Sequence, residues 1–177
     1  MRKVLYILGQ LRDSDLQWLV DAGTPRDVEP GEVLIREGEP IDSLFVVVQG
    51  ELGVEKAGTE LARLSAGEVV GEMSFLDGKP PNATVSARAP ARVHAIARAR
   101  LRAKLAADSD FAARFYKALG VFLAGRLDRT DALIGAGPRV AGELPDPDQD
   151  AISPEVLDNV VLAGTRFEWF LERLGGR

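Results

Sequence analysis

Apolar residues recur along this chain with two different periods. Over residues 10 to 22, Leu11, Leu16, Leu19 and Val20 fall at helical spacing, and Ser14 and Asp15 stand near the front, where side-chain oxygens cap free N–H groups. That pattern predicts a leading helix. From about 25 to 97 the period shortens. Apolar runs at Val33-Leu34-Ile35, Leu44 to Val48, Leu61 to Leu64 and Val93 to Ile96 alternate with turn signals at Pro30-Gly31, Gly38-Glu39-Pro40, Gly50, Gly58 and Gly67. Short strands at roughly 8–12-residue spacing predict an antiparallel β-barrel or jelly roll of about eight strands. Glu72 to Leu76 interrupts it as a single helical turn.

The helical period returns from 98 to about 134. Leu101 and Leu105 mark a short helix, Asp108-Ser109-Asp110 a break and a new cap, and Phe111, Phe115, Leu119, Phe122, Leu123 and Leu127 the apolar stripe of a longer helix. Gly120 and Gly125 each cost that helix about 1 kcal/mol against alanine, so close packing or a bend is expected there. Prolines 138, 145, 147 and 154 with glycines 135, 137 and 142 make 135 to 153 a linker. A last amphipathic helix over 154 to 177 starts at Ser153-Pro154 and has Val156, Val160, Phe167, Phe170, Leu171 and Leu174 on one face. The expected class is α+β: a β-rich domain over 1 to 134 flanked by a leading helix and C-terminal helices, a linker, and a tethered helix.

Composition narrows the chemistry. The 177 residues are 46% apolar and 28% charged, with a net charge of −5, ordinary for a globular protein and unfavourable for non-specific DNA binding. With no cysteine, disulfides, thiolate metal sites and thiol catalysis are excluded. His94, the single histidine, has no second histidine or cysteine for a metal site or triad, so a structural role is expected. Asp146-Pro147-Asp148-Gln149-Asp150 looks like half a calcium loop, but Ala151 and Leu157 stand where glycine and glutamate belong. Arg88, Arg92, Arg98, Arg100, Arg102 and Lys104 occur without an acidic neighbour and suggest a solvated cationic face, or a patch for an acidic partner. The apolar run near the start is too short for a signal peptide, and no stretch approaches the roughly 18 apolar residues of a membrane span. A cytoplasmic, non-enzymatic protein is the expectation.

Three motifs carry a resemblance. Val28 to Pro40, the run Leu44 to Gly50 followed by Glu51-Leu52, and Gly71 to Val85 appear in the order found in the cyclic nucleotide-binding domain family. In that order the chain is similar to catabolite activators and to protein kinase A regulatory subunits, over about residues 10 to 134. The resemblance implies a phosphate-binding cassette at Gly71 to Val85. Gly71 would permit a turn that a side chain blocks, and the N–H groups of Met73 and Ser74 would face an anion at a helix start. In the family the glutamate matching Glu72 reads the ribose 2′-hydroxyl, and the residues matching Asn82 and Ala83 lie beside the cyclic phosphate, followed by Thr84. Glu72 is equally at home as a carboxylate at a helix N-terminus. The departure is Pro81, which stands where the family places an arginine for the phosphate.

The resemblance implies a regulatory module that senses cyclic AMP, cyclic GMP or a related anion in a degenerate cassette and signals through its C-terminal helices. The alternative is a ligand-free interaction or dimerisation scaffold of the same fold. It further implies a homodimer through the long helix. The last helix would dock on its own domain or on a protein partner. The residues after the long helix show no helix-turn-helix pattern, so a stand-alone module without a DNA-binding domain is expected.

Overall fold

A computed structural model describes residues 10–135 together with 165, 166, 168–170 and 172–174. In chain order the elements are α1 (Asp13–Ala22), β1 (Gly23–Val28), β2 (Val33–Ile35), β3 (Ser43–Gln49), β4 (Leu52–Lys56), β5 (Thr59–Leu64), β6 (Val69–Val70), α2 (Glu72–Asp77), β7 (Thr84–Ala87), β8 (Ala91–Ala97), α3 (Arg98–Ala107) and α4 (Ser109–Gly135). Eight strands form two four-stranded sheets, ordered β1-β8-β3-β6 and β2-β7-β4-β5. All the pairings are antiparallel. This is the expected jelly-roll class, open as two sheets and not closed as a barrel.

The unbroken apolar run of β3 has a direct cause. A strand buried on both faces loses the alternation of a half-exposed one. Phe45 and Val47 face the second sheet with Val93, Leu52 and Val85, while Leu44, Val46 and Val48 face a second cluster built with the helices. The edge strand β5 is exposed except at Leu64 and carries Glu60 and Arg63, charges that discourage edge-to-edge pairing.

The helices lie on the outer face of the β1-β8-β3-β6 sheet. Leu16 and Leu19 of α1, Leu101 and Leu105 of α3, and Phe111, Phe115, Leu119 and Phe122 of α4 fill one cluster there. Asp108 caps α4 as expected, its Oδ1 accepting the Phe111 N–H at 2.9 Å. Asp15 is not a simple cap. It sits in the first turn, accepts the Arg12 N–H at 2.8 Å, and is buried against Arg114 of α4, whose Nε and Nη2 donate to it at 2.7 and 3.0 Å. Burial works to raise the Asp15 pKa, but the Arg114 and Arg12 hydrogen bonds together outweigh it and hold the carboxyl below its ordinary value.

Phe111, Phe115, Leu119 and Phe122 of the α4 stripe are buried, whereas Leu127 is 61% exposed and lies outside the core. A Cβ at Gly120 would meet nothing within 4 Å, so neighbouring atoms do not require a glycine there. The linker and calcium-like segment from 136 to 153, and the first part of the last helix, lie outside the described residues. Residues 165, 166, 168–170 and 172–174 are helical, and Phe170 and Leu174 are buried in the helix-side cluster.

Candidate functional site

The cassette is built on a left-handed residue. Gly71 has φ +88° and ends β6 against α2; a Cβ there would lie 2.8 Å from Ile41 Cδ1. A non-glycine residue would therefore be strained twice, by backbone and by contact. The Phe75 N–H closes the first turn on the Gly71 carbonyl at 3.0 Å, so the amides before it start the helix without an i−4 partner in it. Gly78, at φ +73°, ends α2, and its N–H returns to the Ser74 carbonyl at 3.2 Å.

The seven expected ligand residues divide by environment. Gly71, Glu72, Met73 and Ser74 form the turn and the first residues of α2; Glu72 and Ser74 are buried, and Met73 is exposed. Asn82, Ala83 and Thr84 form the return into β7, with Asn82 exposed and Ala83 buried. The Thr84 hydroxyl accepts the Glu37 N–H at 3.1 Å, and the Pro81 carbonyl accepts the Gly38 N–H at 2.8 Å. These two bonds tie the return segment to the loop after β2.

The cations nearby are already engaged. Lys79 reaches Asp77 at 3.8 Å, and Arg36 reaches Glu39 at 3.4 Å, both pairs exposed. Arg98 is the cation bonded directly to the cassette helix. Its Nη2 donates to the Ser74 carbonyl and its Nη1 to the Ile41 carbonyl at 3.0 Å. Its guanidinium lies 5.7 Å from the centre of the Phe75 ring, as does that of Arg102. Burial lowers the Arg98 pKa, and the neighbouring Arg102 charge adds to this. An arginine remains cationic in proteins regardless. A cation at the C-terminal end of a helix complements its dipole.

The run of basic residues from Arg88 to Lys104 is thus not one free face. Arg88 pairs with Glu55 and Glu60, Arg92 with Asp27, Lys104 with Asp108, and Arg100 donates to the Ala22 carbonyl. Apart from Asp108, four positions after Lys104, the partners come from distant strands and turns, which is why local sequence hid them. His94 is structural as expected: it is 1% exposed, and its Nε2–H donates to the Leu19 carbonyl at 3.0 Å.

From the cassette the contacts run to the long helix. Phe75 meets Phe115 of α4 edge to face, with ring centres 6.1 Å apart, and Phe115 stacks on Phe111 at 5.7 Å. The left-handed Gly71 turn and its short helix are thus packed through the Phe75 ring onto the long helix. The family model of the cyclic nucleotide-binding domain matches residues 25–108. Over this segment, a little under half of the chain, the sequence is that of a cyclic nucleotide-binding domain.

Relatives agree with that assignment. A cAMP-dependent protein kinase regulatory subunit of Yarrowia lipolytica is 38% identical over 93 residues, which are 51% of this chain and 25% of that protein. A cGMP-dependent protein kinase of Caenorhabditis briggsae is 39% identical over 80 residues, 45% of this chain and 11% of that one. The chain thus spans a quarter or less of these two relatives. Among solved structures, a cyclic nucleotide-binding domain from Methylobacillus flagellatus superposes with a TM-score of 0.69 at 25% identity, covering 80% of this chain and 85% of that one. No helix among the described residues is long and apolar enough to cross a membrane.

Proposed function

We propose that this chain is a regulatory binding module, not an enzyme, that senses a small anion of the cyclic nucleotide class at Gly71, Glu72, Met73, Ser74, Asn82, Ala83 and Thr84. Occupancy of the cassette moves α2, and the Phe75–Phe115 contact passes that movement to α4. The carrying observation is the left-handed Gly71 turn joined to α4 through that ring pair. The cAMP- and cGMP-dependent relatives support the ligand class. Exposed Tyr116, Val121 and Leu127 along α4 support a homodimer through that helix. A cytoplasmic setting completes the reading.

Pro81 favours a second reading, in which the fold serves as a ligand-free scaffold. Losing one partner of a buried charge pair typically costs about 2–5 kcal/mol, on the order of 30- to several thousand-fold in affinity. Lys79 offers only an exposed point charge already beside Asp77.

A thermal shift with cyclic AMP and cyclic GMP separates the two. Ligand at about 100 times its dissociation constant adds about 2.7 kcal/mol of stability. Millimolar nucleotide without any shift removes the cyclic-nucleotide reading. Pro81→Arg sharpens the test, because the carbonyl that holds Gly38 is kept and a bidentate cation is restored. The expected result is nucleotide affinity at least about 30-fold above the parent. An intact fold with no gain means that the pocket is closed to nucleotides.

A further inference from the structure

Helical residues between 165 and 174 lie against the outer face of the first sheet, beside α1 and α4. Phe170 and Leu174 are 2% and 4% exposed. Arg166 fixes the near end: its Nε donates to Asp13 at 2.7 Å and its Nη1 to the Leu11 carbonyl at 2.9 Å. Arg166, Phe170 and Leu174 recur every fourth residue, on one helical face, as in a helix laid into a groove.

Among the described residues, two cavities border this segment. An apolar cavity of about 40 Å³ separates Phe170 from Val46 and Ile96 of the sheet and Ala118 and Leu119 of α4. A second cavity, of about 240 Å³, lies between Gln17, Asp21 and His94 on one side and Arg173 and Leu174 on the other. His94 meets the Phe170 ring edge-on at 6.4 Å, and its Nδ1 is buried with no hydrogen-bond partner among the described residues. Interiors normally fill to crystal-like density, and each void forfeits contacts that would hold its lining in place. The segment is seated without being locked.

Phe170 stands as a wedge between the sheet and α4, and Phe115, which borders the same cavity, also touches cassette residue Phe75. Any movement of α4 against the sheet must repack Phe170. We propose that the groove between α1, the first sheet and α4 is a receptor for an amphipathic helix, and that its resident is this chain's own 165–174 segment, an exchangeable strap whose seating opposes ligand binding at the cassette. The linkage half of this inference rests on the sensing reading above, and the seating half stands without it.

Because the chain has no cysteine, spin labels on Lys117→Cys and Glu168→Cys, both exposed positions, report the distance between α4 and the segment in the full chain. The expected result is one narrow distribution. It broadens when excess synthetic peptide of residues 161–177 is added or when Phe170→Asp is introduced, and stays narrow with Phe170→Leu. A broad distribution in the parent, or one indifferent to the peptide, overturns the seating. Titration with cyclic AMP and cyclic GMP tests the linkage: Phe170→Asp is expected to tighten binding by about 5- to 150-fold, since coupling between sites is reciprocal. Unchanged or weaker binding overturns the opposition and leaves the sensing reading intact. If neither protein binds either nucleotide, linkage and sensing fall together, while the distance measurement still decides the seating.

Discussion

Gly71→Ala is the perturbation whose cost can be divided into parts. At φ +88° an alanine adopts the left-handed region at about 1–2 kcal/mol. The new Cβ also meets Ile41 Cδ1 at 2.8 Å, the far end of a flexible side chain. Turning that side chain off its rotamer adds about 0.5–1.5 kcal/mol. Together the substitution costs about 1.5–3.5 kcal/mol. In a domain of this size each kcal/mol lowers Tm by about 2–4 °C, so a drop of about 3–14 °C is expected.

Gly78 supplies the control. It has φ +73°, and a Cβ there meets nothing within 4 Å. Gly78→Ala therefore carries the backbone part alone, about 1–2 kcal/mol. The difference between the two alanine variants isolates the contact with Ile41. Combining Gly71→Ala with Ile41→Val, which removes Cδ1, erases that difference in a double-mutant cycle. Urea unfolding followed by tryptophan fluorescence reads the parent and the four variants, with an unchanged slope showing that only stability has moved. If Gly71→Ala costs no more than Gly78→Ala, or if Ile41→Val recovers nothing, the close approach at the cassette does not enforce the glycine.

Gly120→Ala is expected to stabilise the protein by about 1 kcal/mol in the same assay, since the position is helical and its surroundings are open. A loss instead would mean that another backbone comes close to Gly120, as in a paired α4. His94 sets the pH dependence near neutrality. Burial lowers its pKa in the folded state, so the unfolded chain binds the proton first. Stability is full above about pH 6.5 and falls as pH drops below it toward the lowered folded value. Urea unfolding from pH 7.5 to 5 should show that slope in the parent and lose it in His94→Leu; equal slopes would refute the assignment.

Local sequence carried the elements and the cassette frame because their causes are local. An apolar run bounded by glycines reads as a strand wherever it pairs, and a glycine required at positive φ leaves its mark at Gly71 and Gly78. Asp15 caps the Arg12 N–H as its place in the first turn predicts, but its second partner Arg114, 99 positions away, leaves no local sign. Arg98 was grouped with its basic neighbours because nothing adjacent shows that its side chain ends on the Ser74 and Ile41 carbonyls. Leu127 fits the spacing of the core stripe and still points outward, because periodicity gives a face and not its depth. The apolar face that carries Phe170 leaves two destinations open in sequence, its own domain or a partner, and the fold places Phe170 in the helix-side cluster of the domain.

The dipeptide Ile41-Asp42 makes three contacts that join the Gly71 turn to Arg98 at the start of α3. Ile41 packs at Gly71, its carbonyl takes the Arg98 side chain, and the Asp42 carbonyl takes the Arg98 N–H at 2.7 Å. None of these contacts involves residue 81. Under the proposed sensing role, the side chain that would read a phosphate and the contacts that would transmit its presence are therefore separable under mutation. A lineage can exchange its phosphate-reading side chain, or lose it, and inherit the transmission gear unaltered, ready to be driven by a different chemistry.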